Sequence, residues 1–426
     1  MSETPEREPA FSESAGVKLS ESTVFRPSVE LSTGYQPNVF FEDGSATEPA
    51  NGSAIMRIGV GAIFSTMPAQ RLAAEAPPGQ SQGPKLAFSG DLNVTRHQYL
   101  STNDNVSKQS DFGVSALIDV ALNPEGAFTL VLRDAFNRAV RPPPAETGQS
   151  MDRDRNELVA GFILKPGGGA IQVYGNYAFG ADIFERSDLS FANRLSHTFS
   201  LGGRWQWLPK TQFNFESSFG VIVVKEEAFK MGSSTPLRIM IGTSTLITPT
   251  FGTVLKLGYG NGYYDQGPSF SSYLALLEGR LALGPTVRLA FGYSHDFADS
   301  LIGNYYADHS LYTRAVLQVG DRVQLRGKGE VRFRGYGGIP AQDEMDGRTY
   351  QFCGNSACTS SERSDVMTKI EAGADVQVNA WMTAGASYVL SGQSSDFFLR
   401  EIAGNTTNDT VSYVWQEFLV RAVAKF

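Results

Sequence analysis

The chain is poor in the residues on which most enzyme sites and covalent scaffolds depend. It holds 2 cysteines and 4 histidines in 426 residues. So few cysteines exclude a disulfide-built scaffold or a zinc-cluster fold. Two of the four histidines stand in Ser294-His295-Asp296 and Asp308-His309-Ser310. Adjacent residues leave a strand on opposite faces, so neither triplet makes a catalytic triad by local spacing. Partners from other segments stay open, but the reading is of no enzyme and no cofactor. Long apolar runs are missing too. No stretch approaches the ~20 residues a spanning helix needs, and mean hydropathy is −0.19. Basic charge is in deficit, with 36 Lys+Arg against 44 Asp+Glu and a net charge of −8, which argues against a nucleic-acid partner. Met1 is followed by SETPEREPAFSESAG, without a basic stretch or an apolar core, so no signal peptide is visible.

What the chain does have is aromatic residues, glycine and alternation: 28 Phe, 16 Tyr and 44 Gly. Residues 1–22 are polar and lack periodicity, and read as a loosely held tail. From Val24 onward, short segments of period two recur with no convincing amphipathic helix. Eighteen candidate strands lie near 24–35, 54–66, 85–99, 112–122, 127–138, 155–165, 170–184, 194–207, 211–225, 236–247, 251–263, 271–283, 286–297, 305–319, 322–336, 365–377, 381–392 and 411–426. Within them the faces separate cleanly. Phe199, Leu201, Trp205 and Trp207 oppose Ser200, Arg204 and Gln206, while Phe213, Phe215 and Phe219 oppose Asn214, Glu216 and Ser218. The apolar faces carry almost no charge.

The connections alternate almost strictly between short and long. Asn123-Pro124-Glu125-Gly126, Pro166–Gly169, Leu208–Lys210, Thr248–Thr250, Gly284-Pro285, Gly320-Asp321 and Val378–Ala380 are tight-turn sequences. Between them fall long polar stretches such as 36–53, 139–154, 337–364 and 393–410. The exception on the short side, 67–84, holds a segment, 69–76, that could form a short helix. Short turns on one side and long loops on the other are the pattern of a transmembrane up-and-down β-barrel of about eighteen strands, spanning 23–426. A soluble sandwich has no reason for it.

One segment concentrates charge. Arg322, Gln324, Arg326, Lys328, Glu330, Arg332 and Arg334 share a face from which Val323, Leu325, Val331 and Phe333 are excluded. Arg280, Arg288 and Arg314 join them at the same parity. Two readings stay open: a basic lumen wall that attracts an anionic solute or polymer, or a network in which these groups pair with inward acids such as Glu278, Glu371 and Asp375. The Gly337–Ser364 loop carries both cysteines, Cys353 and Cys358, whose spacing in an exported protein reads as a small disulfide.

Two resemblances follow. The final stretch SYVWQEFLVRAVAKF puts Phe418, Val420 and the terminal Phe426 on one face. It resembles the closing strand of bacterial outer-membrane barrels, in which the terminal Phe belongs to the signal read by the barrel assembly machinery. Near the start, Gly34, Tyr35, Asn38, Val39 and Phe40 match the Gly-Tyr-Asp-Asp-Asn-Val-Phe-like turn after the first strand of an outer-membrane barrel family linked to exopolysaccharide systems. Gln36 and Pro37 replace the usual acids. The whole is similar to the eighteen-stranded barrels of myxobacterial Wzx/Wzy-type polysaccharide export. That resemblance implies a passive conduit for a polysaccharide, set in outer-membrane lipid and docked on a periplasmic polysaccharide export protein, its signal peptide removed. A plugged structural or adhesion barrel and a general porin for small solutes are the alternatives.

Overall fold

A computed structural model describes residues 16–20, 22–44, 50–66, 85–140, 146, 152–185, 192–224, 233–345, 348–355, 357–402 and 408–426. The 69–76 segment lies outside them. Eighteen long strands run through these residues. They are β1 (Thr23–Gln36), β2 (Ser53–Thr66), β3 (Leu86–Leu100), β4 (Asp111–Leu122), β5 (Phe128–Ala139), β6 (Arg153–Leu164), β7 (Ile171–Phe184), β8 (Arg194–Leu208) and β9 (Thr211–Val224). The second half comprises β10 (Leu237–Leu246), β11 (Phe251–Asn261), β12 (Ser271–Leu283), β13 (Val287–Asp299), β14 (Tyr305–Val319), β15 (Val323–Gly337), β16 (Ser364–Gln377), β17 (Met382–Ser395) and β18 (Tyr413–Lys425).

Each strand pairs antiparallel with its sequence neighbour, and β1 pairs with β18, Tyr35 standing opposite Phe418 and Ser28 opposite Lys425. The sheet therefore closes and has no free edge. The two-residue strand Val17–Lys18 folds back on Val24–Phe25. Tight turns join the strands at one end. At Asn123 the backbone takes φ 55°, and the Gly126 amide donates back to the Asn123 carbonyl at 3.0 Å.

Alternation sets the two surfaces. Phe199, Leu201, Trp205, Phe213, Phe215, Leu277, Phe291 and Val420 all face outward and exposed, and Ile241 is 64% exposed. In water such a surface would be untenable, whereas hydrocarbon requires it. A 14-residue strand is about 46 Å long and, tilted by about 40°, rises about 35 Å. That exceeds an apolar band of ~25 Å, so the strands project beyond it.

The closing strand is tied from inside on both flanks. Arg421 of β18 donates to Asp375 of β16 at 2.8 Å, reaching over β17, where Gly385 pairs with both residues. A Cβ at Gly385 would stand 2.1 Å from the Asp375 carboxylate, so only glycine leaves the passage open. On the other flank Glu417 reaches over β1 to Arg57 of β2, one guanidinium nitrogen donating at 3.1 Å. Gln36 also donates to Glu417. An acid at position 36 would face this carboxylate, like charge against like.

At the long-loop end, residues 342–345, 348–353, 398–401 and 408–410 form a second, four-stranded sheet. Phe352, Phe397, Leu399 and Val411 pack beneath it against Ile302. Cys353 and Cys358 are bonded at its edge, their Cα atoms 4.5 Å apart. The loop after β1 folds into the barrel instead. Val39 is buried with Ile55, Tyr99, Val106 and Leu419, and Phe41 packs on Tyr413 and Trp415. Asn38 braces it, its amide donating to the carbonyls of Glu42 (2.7 Å) and Val414 (3.0 Å).

Candidate functional site: a cationic chamber in the lumen

Sequence parity places a residue inside or outside; cross-strand register decides which inward residues are neighbours. On the wall formed by β12 to β17, one level brings Arg280, Ala290, Arg314, Lys328, Glu371 and Val389 side by side. The level nearer the tight turns reads Ala282, Arg288, Val316, Arg326, Gly373 and Ser387. Long cationic side chains thus alternate with small residues, and the hollow between them is a cavity of about 700 Å³. Arg280, Arg288, Arg314, Arg326, Lys328 and Arg421 line it.

These cations are not equivalent. Arg326 and Arg421 share Asp375, which is itself buried. Arg280 donates to Glu278 at 2.5 Å, and the same carboxylate accepts from the Tyr312 hydroxyl at 2.7 Å. Arg314 lies 5.2 Å from the centre of the Tyr312 ring. Glu371 is taken by Lys369 at 2.6 Å. Arg288 and Lys328 form no ion pair among the described residues. Six cations therefore line the cavity against Glu278 and Glu371, with Asp375 behind them, and positive charge is in excess.

The remaining basic residues take other places. Arg332 donates to Glu330 at 2.6 Å, and Arg334 to Asp308 at 2.8 Å while covering the Tyr306 ring. Both are spent within the wall. Arg322 departs from the expectation. It does not lie on the strand face but in the turn before Val323, exposed at the tight-turn end. The left-handed Gly320 (φ 59°) turns the chain there, and the turn extends through Arg322. Arg421, which shapes the chamber, was visible at inward parity in the closing strand; its link to Asp375 is made by register alone.

Nearer the long-loop end the lumen carries a second ionic group. Asp182 pairs with Arg194 at 3.2 Å and Arg153 at 3.5 Å. Asp299 accepts from Ser234 (2.5 Å) and from the Tyr264 hydroxyl (2.7 Å). Burial, and then the Asp299 carboxylate, hold the Tyr264 phenol well above its ordinary range, so it stays a donor. Three of the four histidines stand apart from any such cluster, while His97 faces the lumen opposite Arg57 and Asp111. His295 and His309 stack at 4.1 Å on the outer face, and His197 meets the Tyr177 hydroxyl there at 2.7 Å. Asp308 and Ser310, flanking His309, point inward.

A closed antiparallel ring with apolar residues outside and a charged lumen defines a transmembrane β-barrel of the bacterial outer-membrane class. Tight turns then mark the periplasmic end and long loops the extracellular end. No family model matches the sequence, and no curated protein matches it. Among solved structures, the chain is similar to the Acinetobacter baumannii protein OccAB4, with 10% identity, TM-score 0.48, and 95% of this chain and 99% of that one covered. It is similar to the Pseudomonas aeruginosa outer membrane protein OpdK at 10% identity and TM-score 0.47, covering 94% and 99%. A bacterial polysaccharide outer membrane secretin aligns at 9% identity and TM-score 0.36, covering 94% and 98%. These likenesses concern the fold alone.

Proposed function

We propose that the chain is a diffusion channel of the outer membrane for small anionic solutes, working without a chemical step or a cofactor. The observation that carries this reading is the excess of cations over acids lining the chamber, with Arg314 directly opposite Lys328 across β14 and β15 and Arg288 without an ion pair among the described residues. Like charges directly opposite on a sheet are destabilising. An excess of positive charge in a hollow fits a wall that meets negative charge supplied by a passing solute. A chamber of about 700 Å³ lies within the size range of small-molecule sites.

The polymer-conduit reading draws on the turn Gly34–Phe40. In this chain Asn38, Val39 and Phe41 serve to fix the loop inside the barrel, which narrows the passage a polymer would need. If a polysaccharide were the cargo, a periplasmic export protein would be its partner at the tight-turn end. Reversal potentials in a salt gradient across a planar bilayer test the main reading. The wild type is expected to favour chloride over potassium, and Arg288→Glu with Lys328→Glu to abolish that preference. A cation-selective wild type, or a double variant with unaltered selectivity, would refute it.

A further inference from the structure

Hydrocarbon tolerates little charge on the outer wall, and over most of this barrel it meets none. Leaving the terminal residue of each strand aside, the charged side chains that parity turns outward are Arg96 on β3, Asp134 and Arg138 on β5, and Asp154 on β6. All four fall within one sector of four adjacent strands, in the extracellular half of each strand that carries them. Charge facing lipid is costly, and more so with depth.

Two of the four are answered where they stand. Arg138 donates to Asp111 at 2.8 Å and to Glu185 at 2.6 Å, and Asp154 lies 4.0 Å from the same guanidinium. The other two are not. Arg96 lies over the Phe112 ring, 4.6 Å from its centre, and among the described residues its guanidinium donates only to Gln98, at 3.4 Å. The Asp134 carboxylate accepts from the Asn156 amide at 2.9 Å and meets no cation among the described residues. The two charges are opposite in sign and stand at nearly one depth. Arg96 is four residues below the end of β3 at Leu100, and Asp134 five below that of β5 at Ala139. Between them, five residues below the start of β4 at Asp111, the outward residue is Ala116.

We infer that this sector is the contact between two copies of the barrel, related by a two-fold axis along the membrane normal that passes over β4 near Ala116. Such an axis leaves depth unchanged and exchanges β3 with β5. Arg96 of each copy then meets Asp134 of the other, and the contact carries the pair twice. Adjacent strands lie ~4.8 Å apart, so the two charges sit about 10 Å apart across β4. The small side chain of Ala116 lets the walls approach closely on the axis. A glycolipid leaflet rich in phosphate would answer Arg96 alone and repel Asp134, whereas a second copy answers both. The inference needs only the membrane-spanning barrel, not the channel reading.

In a Cys353→Ser, Cys358→Ser background, Ala116→Cys tests the geometry in the outer membrane, where oxidation is expected to yield a covalent dimer of the folded barrel. Sedimentation equilibrium in density-matched detergent tests the chemistry. Arg96→Asp or Asp134→Arg alone sets like charges against each other twice and should weaken dimerisation about a hundredfold. The double reversal, Arg96→Asp with Asp134→Arg, restores the opposition and should recover most of the affinity. That recovery separates loss of the pair from damage to folding, which heat modifiability on a gel monitors in each variant. A wild type that stays monomeric at every concentration, or an Ala116→Cys variant that forms no dimer, overturns the inference. So does a double reversal that associates no more tightly than either single one. Glycolipid retained by a monomeric wild type and lost from Arg96→Asp would assign the sector to the lipid leaflet instead.

Discussion

Asp375→Asn is the most informative single perturbation, because one carboxylate serves both the chamber and the closing strand. It joins Arg326 of β15 to Arg421 of β18 while itself belonging to β16. Its side chain is 7% exposed, and those of the two arginines are 23% and 30% exposed. Breaking a buried pair costs about 3–5 kcal/mol. Partial solvation of both guanidiniums reduces this, and about 2 kcal/mol is the expected loss. That shifts the unfolding equilibrium by about thirtyfold. The measurement is urea unfolding of the detergent-folded barrel, followed by the heat-modifiable shift on a gel. The same variant exposes two arginines in the chamber, so anion preference should rise while stability falls. A triple variant, Asp375→Leu, Arg326→Leu and Arg421→Leu, removes the charges together and should regain most of the stability, since a buried ion group replaced by apolar residues is often neutral or better. If Asp375→Asn is as stable as wild type, or the triple variant is no better than the single one, then Asp375 does not hold the seam.

Two further outcomes follow. The terminal Phe426 stacks on Trp381 with ring centres 6.0 Å apart, and its amide donates to the Pro27 carbonyl at 3.0 Å. Its deletion should sharply lower the yield of folded barrel in cells, as an assembly signal would, yet leave refolding into detergent micelles nearly intact; equal losses in both settings would make Phe426 a structural residue only. Replacing Cys353 and Cys358 by serine opens a loop closed over a sequence separation of 5, worth about 2 kcal/mol by loop entropy. The loss should be confined to the loop sheet, read as faster proteolysis near 355–362 with barrel unfolding unchanged.

Period two is a local property, and it made the barrel legible. Each of the eighteen strands lies within three residues of its expected bounds, the end of β17 and the end of β13 included. The faces follow from the same signal, because hydrocarbon tolerates Phe199 and Leu201 but not Arg204. The chamber was legible only as a set of candidates. Parity assigned Arg314 and Lys328 to the lumen, but their opposition, and the sharing of Asp375 over Gly385, depend on register between strands, which parity does not fix. Parity also carried Arg322 one residue too far, onto a wall that the turn at Gly320 had already left. The inward loop had a signal that went unused: Val39-Phe40-Phe41 is an apolar run in an otherwise polar connection.

Register also separates the charges that hold the barrel from those available to a solute. A cation whose cross-strand or diagonal neighbour is a carboxylate, as for Arg326 and Arg334, has its charge answered within the wall, and its loss should be felt in stability. One flanked by small residues, as Arg288 is by Ala282 and Val316, or facing a carboxylate already taken, as Lys328 faces the Glu371 held by Lys369, keeps its field for the lumen. Its loss should be felt in selectivity, with stability unchanged or raised. The two kinds look identical in sequence, so the number of basic residues facing the lumen is a poor guide to conduction, and the number left unanswered by register is the quantity that matters.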